Sequence, residues 1–359
     1  MKKIDKKFFW LILSFVVVGL IAVADVSAPQ ALNAYGDKFF LLRQQVVWAA
    51  IGVVALIITM NIHYSFWEKV ATPFFFLSVF FLLIVLLPHL SFAALGARRW
   101  ISIGSFNFQP SELVKLSLAM YLAKIATKNK GPAAYFVPLV IVTGLIMLQP
   151  DLGTTLVVAT IGLSQIFISG MNLSYFFGAL VAGALGTIGL ILASPYRRDR
   201  LLTFFETTSD PLGKGYHIRQ ILLALGSGGI FGVGLGASRQ KYLFLPEAST
   251  DSIFAVIAEE LGLIGSVVII FLYAYLFVKG VRIAKRAPDK FSKILAIGIV
   301  AWISGQAFLN IASMVSFTPL TGIPLPFLSY GGTSLVMILS ACGILLNISK
   351  YETYENAKH

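Results

Sequence analysis

In YLFLPEASTDSIFAVIAEELGLIG, residues 242–265, Asp251 stands where a polar loop gives way to an apolar helical run. A carboxylate at that boundary sits where water, lipid headgroup and protein meet. It can act on a substrate whose reacting part lies at the membrane surface while its tail lies in the bilayer. Thr250 and Ser252 flank it, so the sequence equally allows a helix N-cap or a first-turn acid. Within the helix that follows, Glu259 falls about two turns deeper and somewhat to one side, whereas Glu260 points roughly opposite, at about 3.6 residues per turn. Two acids in one membrane helix are costly, so at least one should face a polar cavity or a basic partner.

Four other groups of residues have the chemistry to join Asp251. Arg98 and Arg99, in GARRWISIGSFNFQPSE, form either a bidentate phosphate site or an interfacial anchor beside Trp100. Glu112 and Lys115 are spaced i to i+3, which suits an ion pair within the bilayer edge as well as a substrate contact. Arg239 and Lys241 precede Asp251, and a loop from Ser329 to Ser334 precedes the last apolar run. No metal-ligand spacing, nucleotide-binding glycine loop or Ser-His-Asp arrangement is present. His63, His89, His217 and His359 are scattered over loops and the tail, which argues against a histidine mechanism.

The elements that must position these residues are membrane helices. Of the residues, 57% are hydrophobic and only 12% are charged, and the mean hydropathy is +0.84, whereas soluble domains carry about 25% charge. Apolar runs centred near Val17, Val53, Phe80, Ala119, Ile141, Ile161, Leu185, Ile269, Ile303 and Ile338 predict about ten transmembrane helices. The expected fold class is therefore an all-α polytopic integral membrane protein, one domain over residues 1–359. Lys2, Lys3, Lys6, Lys7, Lys128, Lys130 and the cations from Lys279 to Lys293 then fall on one side, which the charge bias makes cytoplasmic, together with both termini. MKKIDKK and the apolar run after it are read as a retained signal anchor rather than a cleaved leader.

This orientation leaves one large loop, about 195–250, outside between the seventh and eighth helices, although Arg197, Arg198, Arg200, Lys214, Arg219, Arg239 and Lys241 lie in it. Cations there run against the topogenic bias. A polyanionic ligand or anionic outer-leaflet lipids would explain them. The fifth and sixth helices are short and broken at Gln149-Pro150-Asp151-Leu152-Gly153, with Asp151 as a helix cap or part of a wet cavity. Residues 321–334 carry two prolines and a glycine pair, so an ordered loop or re-entrant turn is expected there. The single cysteine, Cys342, excludes a disulfide framework.

The layout and nearly all of residues 95–350 resemble the SEDS family (shape, elongation, division and sporulation). The matching stretches are GARRWISIGSFNFQPSELVKLSLAMYLA, QPDLGTTLVV, PYRRDRLLTFFETTSDPLGKGYHIRQILLALGSGGIFGVGLGASRQKYLFLPEASTDSIFAVIAEELGLIG and TGIPLPFLSYGGTSL. GSGGIFGVGLGASRQK and YRRDRLLTF are closer to the division and sporulation branch, FtsW-like, than to the elongation branch, RodA-like. In one respect this chain departs from the family pattern. Ser249 and Ser252 stand where relatives often have a histidine before the Thr-Asp pair and an aromatic after it.

The resemblance implies a peptidoglycan glycosyltransferase that polymerises lipid II at the outer face of the bacterial cytoplasmic membrane, with Asp251 as the essential carboxylate. It also implies substrate contacts from Arg98, Arg99, Arg239, Lys241, Glu112, Lys115, Ser329 and Ser334, and a single-span class B penicillin-binding transpeptidase as partner. No cofactor is certain; a divalent cation such as Mg2+ or Mn2+, carried by the pyrophosphate, is compatible with the chemistry. A lipid II flippase and a non-catalytic scaffold for the transpeptidase are the rival readings of the same features. The flippase needs no general base, and the scaffold needs only helix surfaces.

Overall fold

The computed structural model describes residues 4–87, 92–94, 97–103, 106–128, 130–192, 198 and 215–352. Among these, twelve helices and three short strands follow in the order α1 (Lys6–Val26), α2 (Ala28–Tyr35), α3 (Phe40–Asn61), α4 (Tyr64–Ile84), β1 (Phe92–Ala94), β2 (Ala97–Ile103), β3 (Phe106–Phe108), α5 (Pro110–Thr127), α6 (Ala133–Leu148), α7 (Leu152–Ile168), α8 (Leu173–Leu192), α9 (Tyr216–Gly228), α10 (Ile253–Lys285), α11 (Lys290–Met314) and α12 (Gly332–Ser349). All ten expected apolar centres fall in separate helices. By length and composition, α1, α3, α4, α10, α11 and α12 are long and apolar enough to cross a membrane, and α6, α7 and α8 are shorter apolar helices.

The helical class holds, with two local additions. Beside the helices, β1, β2 and β3 form an antiparallel three-stranded sheet around Arg98 and Arg99. Trp100, Ile101 and Ile103 favour an extended backbone, and the glycines at 96 and 104 oppose a helix through the stretch. The segment of about 195–250 also carries a helix, α9, whose Ile218, Ile221, Ala224 and Gly228 recur at helical spacing and are buried against α10. Arg197, Arg200 and Lys214 lie outside the described residues, as do Lys2, Lys3, His89 and His359.

Long-range packing gathers α11 at the centre, against α5, α7 and α10, with α3 laid along α12. Lipid offers no hydrophobic gain for helix association, so close approach through small residues does this work. A Cβ on Gly343 of α12 would lie 2.4 Å from the Leu56 carbonyl oxygen of α3. Beside it, Thr59 Oγ1 donates to the Ser340 carbonyl at 3.0 Å. At one end of the bundle, the Asp5 amide donates to Ser349 Oγ at 3.2 Å and Lys279 Nζ pairs with Asp5 at 3.2 Å. Residues near the two ends of the described chain therefore meet at the same end of the bundle.

Candidate active site

Asp251 leads into α10 without capping it. Ser252 holds the N-cap position and makes no side-chain capping bond. Its hydroxyl is instead 2.9 Å from His217 Nε2 of α9. Asp251 is half-buried, and its main-chain carbonyl accepts from Asn310 Nδ2 of α11 at 2.8 Å. Its Oδ2 faces Gly322, where a Cβ would come to 3.4 Å. Gly322 has φ +68°, in the left-handed region that glycine occupies without steric cost.

The non-helical segment between α11 and α12 is the wall against which this carboxylate rests. It is tied to α1, α10 and α11 and to the turn that leads into α10. Asn310 Nδ2 also donates to the Ile323 carbonyl at 2.8 Å, and Gln306 Nε2 to the Pro324 carbonyl at 2.9 Å. The Tyr273 hydroxyl of α10 donates to the Pro326 carbonyl, and Phe327 stacks on Phe15 of α1 at 5.3 Å between ring centroids. Ser329 Oγ donates to the Thr250 carbonyl and accepts from the Leu325 amide at 2.8 Å, while the Tyr330 amide donates to the Ser249 carbonyl at 2.9 Å. Burial pushes the Tyr330 phenol up to about 12, so it remains a donor to Gln44 Oε1, 2.6 Å away. The Ser249-Thr250-Asp251 backbone is thereby held from residues 323–330 and from α11.

Deeper in the bundle, Lys115 Nζ donates to Glu112 Oε1 at 2.7 Å and to Gln306 Oε1 at 2.9 Å. Both ions are almost fully buried, so the pair neutralises itself within the protein. Glu112 Oε2 has no hydrogen-bond partner among the described residues, and neither has Ser334 Oγ. Gln306 also accepts from Trp302 Nε1 at 3.0 Å, which makes it the junction between the ion pair and the 321–331 segment. Asp151 caps α7, its Oδ1 accepting from the Thr154 amide at 3.0 Å. Arg99 Nε donates to the Gln149 carbonyl at 3.1 Å and lies 3.9 Å from Asp151 Oδ2. The broken α6–α7 corner is therefore sealed by a guanidinium. Gly153 at its head approaches Thr321 so closely that a Cβ would lie 2.5 Å from that residue's carbonyl oxygen.

The two acids of α10 are both satisfied from the segment before it. Glu259 accepts from Ser238 Oγ, from Ser227 Oγ at 3.3 Å and from the Arg239 amide at 3.2 Å. Glu260 Oε1 accepts from the Ser238 amide at 3.1 Å and from Lys241 Nζ at 2.8 Å, and the same ammonium reaches Asp25 Oδ1 at 2.7 Å. At Gly262, with φ +66° and ψ −165°, α10 kinks. Carbonyls near the break accept from the glycine-rich stretch, Glu259 from the Val233 amide at 3.0 Å and Glu260 from the Gly234 amide at 3.1 Å. This meets the rule that broken backbone at membrane depth must find partners in protein.

Of the residues singled out from sequence, Asp251 and Ser329 are therefore adjacent, and Glu112 and Lys115 connect to the same wall through Gln306. Arg99 is half-buried at the α6–α7 corner and Arg239 is exposed. Arg98 pairs in register with Ala93, and its side chain lies outside the described residues. Lys241 is buried and engaged by two carboxylates. Sequence reasoning missed Gln306, Asn310 and the approach of His217. The first two stand one helical turn apart in an otherwise apolar run, a polar i, i+4 pair that could have been noticed; His217 left no comparable trace.

The family model for cell cycle proteins of the FtsW/RodA/SpoVE group matches residues 6–354. Stage V sporulation protein E of Bacillus subtilis (strain 168) is 42% identical over 350 residues, spanning 95% of this chain and 96% of the relative. A probable peptidoglycan glycosyltransferase FtsW of Geobacter metallireducens is 40% identical over 339 residues, spanning 92% and 90%. Among solved structures, a chain from work on the structural coordination of polymerization and crosslinking by a peptidoglycan synthase complex matches with a TM-score of 0.82 at 27% identity, over 99% of this chain and 100% of that one. The rod shape determining protein RodA of Thermus thermophilus matches with a TM-score of 0.72 at 25% identity, over 98% of each.

Proposed function

Because this chain belongs to the FtsW/RodA/SpoVE family of cell cycle proteins, we propose that it works as a peptidoglycan glycosyltransferase on lipid II, with Asp251 as general base. The observation that carries the assignment is the placement of that carboxylate. It is half-buried at the head of a membrane helix, with its main-chain carbonyl held by Asn310 of α11 and its Oδ2 set against Gly322 of the 321–331 wall. The 4-hydroxyl of an acceptor glycan gives its proton to Asp251 as its oxygen attacks the donor's anomeric carbon. The bond from that carbon to the pyrophosphate breaks, and an α-linked donor becomes a β-1,4 linkage by inversion. The leaving pyrophosphate is already a stable anion, so one carboxylate suffices, unlike the two that flank the bond in glycoside hydrolases.

Cations must then take up the leaving group's charge. Arg239 is exposed in the turns that lead to Asp251 and is the cation we assign first, with Arg98 and Arg99 on the sheet beside the α6–α7 corner. Lys241 supports these turns from within, because its ammonium is engaged by Asp25 and Glu260. Among the described residues no group of three or more His, Cys, Asp or Glu is placed to hold a metal ion. We keep a divalent cation as a companion of the substrate's pyrophosphate, and no step here depends on it. The proposed setting is the bacterial cytoplasmic membrane with the site outward. The proposed partner is a single-span class B penicillin-binding transpeptidase, in keeping with the match to a chain of a peptidoglycan synthase complex.

Purified protein incubated with lipid II, followed by electrophoresis of the glycan product, tests the reading. Asp251→Asn keeps the side chain's shape and removes its basicity, so product should fall about a hundredfold or more in a protein of unchanged thermal stability. Near-normal polymer from well-folded Asp251→Asn protein removes the base assignment.

A further inference from the structure

We infer that Asn310 is the positioning residue for Asp251, one rung of a two-rung clamp on α11 whose other rung is Gln306. The inference rests on the reading of Asp251 as general base. Asn310 is 1% exposed, and both hydrogens of its amide nitrogen are used, one on the Asp251 carbonyl and one on the Ile323 carbonyl, each at 2.8 Å. Two facing carbonyls dictate which end of the amide points at them, because the oxygen of a flipped amide would meet acceptors only. These carbonyls lie on the two sides of the carboxylate's own contact, one on Asp251 itself and the other on the residue after Gly322. A single amide therefore fixes the distance between the base and the wall it rests on.

Gln306, one turn earlier on the same helical face, ties one further carbonyl of the segment to α11. Its nitrogen holds the Pro324 carbonyl at 2.9 Å, and its oxygen is itself held by Lys115 and Trp302. The backbone at 251, 323 and 324 is thus referred to α11, the helix packed against α5, α7 and α10. Both amides donate to main-chain carbonyls. Their effect comes through where the Asp251 carboxylate lands, and a displacement of about 1 Å from productive geometry can cost on the order of a hundredfold in rate.

The test measures kcat and KM for lipid II on purified variants, with Asp251→Asn in parallel. Asn310→Leu is close in size and removes both donors; Asn310→Asp keeps the shape and places acceptors against the two carbonyls. For whichever variant folds, kcat should fall about ten- to a hundredfold while KM stays within about threefold, since neither variant removes a residue assigned to substrate binding. Asn310→Gln, which keeps both donors on a longer arm, should recover part of the lost kcat. A kcat within threefold of wild type in folded protein overturns the inference, and so does a rise in KM at constant kcat. Failure of Asn310→Leu and Asn310→Asp alike to fold would show a purely structural residue and overturn it too. If Asp251→Asn is inactive while the Asn310 variants work normally, the positioning role fails alone; if Asp251→Asn is active, the general-base reading has failed first.

Discussion

Replacing Lys241 with methionine separates an internal counterion from a substrate contact. The ammonium is about 3% exposed and lies 2.8 Å from Glu260 Oε1 and 2.7 Å from Asp25 Oδ1, with Glu260 equally buried and Asp25 partly so. Methionine fills a similar volume without charge, so the loss is that of a buried pair broken from one side, about 3–5 kcal/mol. At roughly 2 °C per kcal/mol for a chain of this size, the apparent Tm should drop by about 6–10 °C. Burial by itself would lower the lysine pKa, but the hydrogen bonds and charges of Asp25 and Glu260 outweigh it and the net shift is upward. A raised folded-state value means that the stabilisation is fully present below the ordinary lysine pKa of about 10.4 and is lost only as pH climbs above it. The lysine therefore stays charged from pH 6 to 9, and the Tm gap between wild type and Lys241→Met should narrow only toward low pH, where the stranded carboxylates of the variant take up protons. Adding Glu260→Gln and Asp25→Asn removes the stranded charges and should recover most of the gap. The assay is thermal unfolding in detergent, with lipid II binding measured below the transition. A Tm within 2 °C of wild type, together with weakened lipid II binding, would refute the counterion argument and return Lys241 to the substrate site.

Two further outcomes follow from the same region. Gly262→Ala should destabilise by about 2–4 kcal/mol, because the kink needs φ +66° and the new Cβ would fall 2.3 Å from the Gly232 amide nitrogen; thermal unfolding reads this, and an unchanged Tm would mean that the kink relaxes freely. Arg239→Gln should leave Tm alone and weaken lipid II binding about tenfold or more, the worth of a charged hydrogen bond of about 1.5–3 kcal/mol; equal affinity of the two proteins for lipid II vesicles would leave attraction to anionic lipids as the reason for this cation.

The helical layout was legible because its cause is local. Each apolar run near Val17, Val53 or Ile303 must satisfy its own backbone in lipid, and only a helix does so within one segment. The break at Gln149-Pro150-Asp151 was legible for the same reason, and Asp151 does cap α7. The sheet around Arg99 escaped notice because its strands, of three to seven residues, are too short to show a period beside long apolar runs. α9 escaped because its buried stripe of Ile218, Ile221 and Ala224 sits in a segment read first for its charge.

The site divides along the same line. Asp251 stood out because a carboxylate at the mouth of an apolar helix is conspicuous in any membrane sequence. What holds it is not conspicuous, since Asn310 lies 59 residues away along the chain and contacts its backbone rather than its side chain. A neutral amide buried in a membrane helix is costly unless its polar atoms are used, so Gln306 and Asn310 on one face of α11 implied two partners each, without naming them. Lys241 shows the opposite trap. Read by charge alone it belongs with Arg239, yet the acids of α10 needed a cation more than the solvent-facing surface did, and the shorter path from residue 241 led inward to Glu260. Where a membrane chain has both buried acids and loop cations, the acids' demand must be met before any cation is counted toward an external ligand.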